Sequence, residues 1–242
     1  MADNTEIEHL ENSLDRFDMV SFDATIFDGM LFDNSLPFMV YKIYQHNGLI
    51  ASYHMELIQL VNFSREMQIG YFKDNPFHNV VHVLDSMQGM HFMMKVGNVK
   101  KYLKQIDLFS CFTANLIHDY EHPGYSNAFV IRTKHPLAIR YSDFSVLENH
   151  HLAAAFTTMF DTGKKANIME NMSLEHQKEA RKTIINAVLN TDLSKHFTLL
   201  TELKTKLGNN FPSESVEDRN LIVSVSLRIA DAFKVVRERS LF

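Results

Sequence analysis

Histidine and carboxylate side chains crowd four stretches of this chain at spacings that suit metal binding or acid–base work. The densest is NLIHDYEHPGYSNAF, residues 115–129, where His118, Asp119, Glu121 and His122 follow apolar Leu116 and Ile117, and Pro123-Gly124 comes next. Polar groups entering a core need partners, because burying one unpaired costs several kcal/mol. A metal ion is one such partner, and hydrogen-bonded pairs are another. In NPFHNVVHVLD, His78 and His82 stand four apart and would share a face on a helix, a spacing that His118 and His122 repeat. SDFSVLENHHLA carries Glu148, His150 and His151, and LRIADAF carries Asp231 at the end of an apolar run. Each has a structural reading as well. Ser145 and Glu148 match a capping box, an isolated Asp231 suits a solvated helix face, and paired histidines occur in ordinary cores. Together, neutral imidazoles with carboxylates suit a Zn²⁺-type ion, and further carboxylates with water suit Mg²⁺ or Mn²⁺.

These side chains must be positioned by helices. Apolar residues recur at three- and four-residue spacing near 37–46, 51–69, 79–95, 105–121, 145–160, 174–190, 195–207 and 216–236. In the last segment Ile222, Val225, Ile229 and Phe233 mark one stripe, and Ser215 with Asp218 predicts a cap before it. No alternating strand pattern stands out. Residues 1–35, acidic with interleaved phenylalanines, read as an irregular leader wrapped on the surface and anchored by those phenylalanines, and 36–242 as one all-α domain. The stretch 161–173 reads as a flexible connector.

Bulk properties narrow the function. With 242 residues, 45% hydrophobic and 22% charged, the chain can bury a sizeable core. Its 8 glycines and 5 prolines are few, which favours helices over a turn-rich sheet protein. A net charge of −5 offers no electrostatic case for nucleic acid as a partner. The single cysteine, Cys111, fits a reducing compartment, and a cytoplasmic location is expected. No run approaches a membrane span. Of 13 histidines, eight lie between residues 78 and 151. Oligomeric state is not legible.

In order along the chain, FHNVVHVLD, IHDYEHPGYSNAF, YSDFSVLENHHLA and NTDLSKHF resemble the successive signatures of the class I cyclic nucleotide phosphodiesterase catalytic domain. That domain is an all-helical member of the HD metal-dependent phosphohydrolase group. The resemblance implies hydrolysis of the 3′ phosphoester of 3′,5′-cyclic nucleotides with two divalent cations, Zn²⁺ at the tighter site and Mg²⁺ or Mn²⁺ at the second. It implies His82, His118, Asp119 and Asp231 as the zinc-site ligands, with Asp119 bridging to the second ion. His122, Glu148 and Thr191 match residues that hold the metals' waters. His78 matches the general acid, oriented by Glu148, and Asn127 a residue near the substrate phosphate.

Some positions depart from the family pattern. Val83 replaces the small alanine usual after the ligand His82. After Asp231 the chain reads AFKVVRERSLF and stops, where the family continues into helices carrying a purine-clamping glutamine and a stacking phenylalanine. The expectation is therefore a C-terminally truncated, weakly active catalytic domain whose preference for cAMP or cGMP is not legible. Two other readings stay open: an HD-type phosphohydrolase acting on another phosphoester, and a catalytically impaired fragment or pseudoenzyme.

Overall fold

Helical periodicity becomes an all-α arrangement in the computed structural model, which describes residues 14–208, 211–212 and 214–232. The α-helices are α1 (Ala24–Leu31), α2 (Ser35–His46), α3 (Leu49–Ser52), α4 (Leu57–Gly70), α5 (Val80–Lys95) and α6 (Gln105–Ile117). They continue as α7 (Asn127–Arg132), α8 (Pro136–Arg140), α9 (Val146–Phe160), α10 (Leu174–Leu189), α11 (His196–Leu207) and α12 (Val216–Asp231). No strand occurs among the described residues. At the centre lies α6, buried along almost its whole length, with α10 on one side and α5 and α12 on others. The main core runs through Phe63, Met87, Phe109, Phe112, Ile184 and Val223, and a small satellite core gathers Val130, Ala138, Val146 and Leu147.

The structure corrects several expectations. The leader is not irregular throughout: residues 24–31 are helical, and Phe17, Phe22 and Phe27 are buried in the main core. Asp23 starts that helix, its carboxylate accepting the N–H groups of Thr25 and Ile26. Eight residues, ATIFDGML, are too few to show a helical period. Residues 1–13 lie outside the described residues. The segment at 51–69 is broken between α3 and α4, with His54 left-handed at φ 48°. That break turns both Tyr53 and Met55 inward. The connector 161–173 is pinned, not loose, because Ala166, Ile168, Met169 and Met172 are core residues.

On α12 the core face is Val223, Leu227 and Ala230, whereas Ile229 is half exposed and Phe233 lies outside the described residues. Buried Ser224 and Ser226 sit on this helix as well, so the apolar count alone misassigned its inner face. The expected Ser215 cap is present: its hydroxyl accepts the Asp218 N–H at 3.1 Å.

One buried ion pair sets how α12 lies on α6. Arg219 Nε donates to Asp107 Oδ2 at 2.7 Å, and Asp107 also accepts the Lys104 N–H at 2.8 Å. Both side chains are buried. Arg219→Met strands a buried carboxylate, so unfolding in urea should show a loss of about 3–5 kcal/mol. A loss below about 1 kcal/mol, the scale of an exposed pair, would mean that the pair does not hold the helix.

Candidate metal centre

Three helix ends bring four polar side chains to one point. His82 sits in the first turn of α5, which Asn79 caps by accepting the N–H groups of Val81 and His82. His118 is the residue that closes α6, Asp119 follows it in a turn, and Asp231 is the last residue of α12. His82 Nε2 lies 3.2 Å from His118 Nε2, from Asp119 Oδ2 and from Asp231 Oδ1. His118 Nε2 lies 3.4 Å from the same Asp119 oxygen and 3.5 Å from the same Asp231 oxygen. Tetrahedral bonds of about 2.0–2.1 Å to a zinc-type ion imply edges of roughly 3.3 Å. The five edges that involve an imidazole, at 3.2–3.5 Å, stand close to that spacing.

Their chemistry also fits a cation. His118 Nδ1–H donates to the Asn115 carbonyl at 2.7 Å, which leaves a lone pair on Nε2 aimed at the cluster. Without a cation, protons must do the neutralising. Burial works against charge on His82, yet the carboxylates of Asp119 and Asp231 outweigh it and raise its pKa to about 9. His118 is raised by the same carboxylates against its burial. Asp119 and Asp231 overcome burial and are held below the usual carboxylate range by the two imidazoles. His82 Nδ1 is buried and finds no hydrogen-bond partner among the described residues.

A second group adjoins the first through Asp119. Donor atoms of Asp119, His122 and His151 also lie within 4.8 Å of one another. Asp119 Oδ1 faces His151 Nε2 at 3.9 Å, while its Oδ2 serves the first group. His151 Nδ1–H donates to the Tyr120 carbonyl at 2.6 Å. His122 Nδ1 accepts the Gly124 N–H at 3.0 Å, so in the neutral ring Nε2 holds the proton and faces outward as a donor. Burial pushes the pKa of His122 down to about 4 and that of His151 to about 3. The sequence reading named His151 but gave it no role; its place three residues after Glu148 on α9 was the available signal.

Neither His pair lies on one helical face as expected. His78 precedes the α5 cap, and His122 lies past the end of α6, where Glu121 is left-handed at φ 57°. Freed from helical spacing, the His78 and His122 rings stack at 3.7 Å with an angle of 16°. Burial lowers the pKa of His78. The expected contact between Glu148 and His78 is not among the hydrogen bonds of Glu148. Instead its two carboxylate oxygens accept from Asn127 Nδ2 at 3.2 and 2.9 Å, and burial raises its pKa. Asn127 Oδ1 in turn accepts the Leu147 N–H at 2.9 Å. Nor is Glu148 a helix cap, for the Ser145 hydroxyl turns to Asp192 at 2.8 Å. Thr191 donates to the Val188 carbonyl at 2.7 Å, and its own carbonyl accepts from Arg228, which ties α12 to the end of α10.

Metal must displace a proton here. In the metal-free protein, His82 rises from an ordinary 6.5 to about 9, so its contribution to stability is full below pH 6.5 and is lost as pH approaches 9. Asp119 and Asp231, held low, stabilise above their ordinary range and lose that contribution in acid. Zn²⁺ affinity should therefore rise with pH up to about 9, and binding at pH 7 should release protons. Calorimetry in buffers of different ionisation enthalpy measures that release; none at pH 7 would contradict the assignment.

The comparisons with known proteins agree with this geometry. Residues 77–241 match the model of the 3′,5′-cyclic nucleotide phosphodiesterase family. The human dual specificity calcium/calmodulin-dependent 3′,5′-cyclic nucleotide phosphodiesterase 1C is 36% identical over 215 residues, 88% of this chain and 30% of its own length. The Dictyostelium discoideum 3′,5′-cyclic-AMP phosphodiesterase 4 is 36% identical over 180 residues, 74% of this chain and 17% of its own length. This chain thus spans less than a third of either relative. The crystal structure of the phosphodiesterase domain of the RhoPDE fusion protein from the choanoflagellate Salpingoeca rosetta aligns with a TM-score of 0.83 at 27% identity. That alignment covers 96% of this chain and 72% of the other. By its motifs, its helical architecture and these matches, the chain belongs to the 3′,5′-cyclic nucleotide phosphodiesterase family.

Proposed function

We propose that the chain hydrolyses the 3′ phosphoester of 3′,5′-cyclic nucleotides to give 5′-nucleotides. The observation that carries the reading is Asp119, whose two oxygens serve two adjoining donor groups. His82, His118, Asp119 and Asp231 would hold a Zn²⁺-type ion, and Asp119 would reach a second, more hydrated Mg²⁺ or Mn²⁺. When bound, such a pair of cations polarises a phosphoryl group and makes water a better nucleophile near neutral pH.

The side chains supply the remaining steps. His122 Nε2–H donates a hydrogen bond to water in the site, and neutral His151 offers Nε2 as an acceptor. As water attacks phosphorus, the bond to ribose O3′ breaks and the leaving oxygen needs a proton. His78 is the side chain we assign to deliver it. Burial, with the neighbouring His82 and His118, disfavours its charged form, and the anionic phosphodiester beside it favours that form, so substrate itself prepares the acid. Glu148 acts through Asn127, holding that amide at the start of α7. Among the described residues no helix is long and apolar enough to cross a membrane. We place the protein in the cytoplasm, whose reducing conditions suit the free thiol of Cys111.

The test is turnover of cyclic AMP and cyclic GMP with metal content measured on the same samples. His82→Ala should lose tightly held zinc and activity together, since three ligands rarely suffice for a structural-grade site. His78→Ala should keep its metal and lose ~10²–10⁴-fold in turnover, the usual share of a general acid. Undiminished hydrolysis by the metal-stripped wild type would defeat the reading.

A further inference from the structure

The turn from α4 to α5 carries Asn75, which opens the NPFHNVVHVLD stretch but lies outside the FHNVVHVLD signature. Asn75 Nδ2 donates to the His122 carbonyl at 2.7 Å and to the His78 carbonyl at 3.1 Å, which uses both of its hydrogens. Its own carbonyl accepts from Asn79 Nδ2 at 2.8 Å, the same amide that caps α5 ahead of His82. On its other side stands Gly124, left-handed at φ 81°, where an added Cβ would lie 2.8 Å from Asn75 Oδ1. The amide fits because residue 124 has no side chain.

A turn-forming asparagine commonly bonds its own neighbouring backbone. The bond to His78, three residues on, is of that kind. The bond to His122 is not, because it spans 47 residues and joins two separate turns. With both carbonyls held by one amide, the His78 and His122 rings stand face to face at 3.7 Å. The fixed position of Gly124 brings its N–H to His122 Nδ1 at 3.0 Å, and that contact decides which ring nitrogen carries the proton. We infer that Asn75 is a positioning residue of the reaction: through two backbone carbonyls it sets the place of the proton donor His78 and the tautomer of His122. It acts through those histidines, and its amide makes no hydrogen bond to the four clustered side chains.

The kinetic arm of the test rests on the proposed hydrolysis; the structural arm does not. Asn75→Asp keeps the shape but has no hydrogen to donate and sets a negative oxygen against two carbonyls. Gly124→Ala crowds the same amide from the opposite side and serves as the second variant. Zinc content, kcat and KM for cyclic AMP, and the ¹⁵N signals of the histidine rings would be recorded for the zinc-loaded 242-residue chain. Expected for both variants are unchanged zinc, KM within about threefold, and kcat lower by ~10–100-fold, a fraction of what general acid catalysis supplies. His122 should change from a single Nε2–H tautomer to a mixture. Unchanged ring signals overturn the inference, whether or not the chain turns over substrate. Altered signals with unchanged kcat overturn its catalytic part, as does a fall in kcat that tracks loss of zinc. A wild type with no turnover refutes the proposed function, and the ring signals then decide the positioning of His122 by themselves.

Discussion

Two imidazoles, each with its Nε2 within 3.5 Å of the same two carboxylates, form the constraint on which this fold turns. Such a group is not self-sufficient. Each carboxylate needs a positive neighbour, and each buried ring resists supplying one. The helices aggravate the demand: α6 ends at His118 and α12 ends at Asp231, so two carbonyl-rich C-termini, with their partial negative charge, point at the same place. Only α5 opposes them, presenting its N-terminus near His82. A cation balances that arrangement better than a shared proton does. The helical packing is what forces the four groups together. Arg219 fixes α12 on α6 at one end, and Arg228 fixes it to the end of α10 near the other.

Much of this site was legible because metal chemistry restricts residue type more tightly than it restricts spacing. Residue type marked His82, His118, Asp119 and Asp231 within a wider set of candidate nitrogen and carboxylate donors, and the family resemblance singled out those four. Their local geometry was not legible. Four-residue spacing suggested helical faces for His78 with His82 and for His118 with His122, but Asn79 starts one helix after His78 and the other ends before His122. A cap and a left-handed Glu121 decided those boundaries, and neither leaves a periodic signature. Helix α1 escaped notice for a similar reason, since its eight residues, ATIFDGML, are too short a run to carry a pattern. On α12 the inner face includes serines, which a count of apolar residues does not register.

Glu148, which the resemblance assigns to orient His78, takes a different partner here: its two carboxylate oxygens accept from Asn127. Burial explains the choice. A carboxyl whose pKa is raised by desolvation is poorly placed to carry charge for a ring, and a neutral amide satisfies its oxygens without adding a second buried charge. Asn127 gains as well, because its own oxygen then receives the Leu147 N–H.

The same physics sorts the histidines of the site into two sets. His82 and His118 have Nε2 within 3.5 Å of carboxylate oxygens, and those contacts overcome burial and favour a positive partner at each nitrogen. His78, His122 and His151 lack such close carboxylates, so burial prevails and lowers the pKa of all three. Neutral rings can be given fixed tautomers, and two of them are: His122 by the Gly124 N–H and His151 by the Tyr120 carbonyl. One set is therefore built to face a cation and the other to direct hydrogen bonds beside it. Asp119 belongs to both because it has two oxygens, and no residue with a single donor atom could join them.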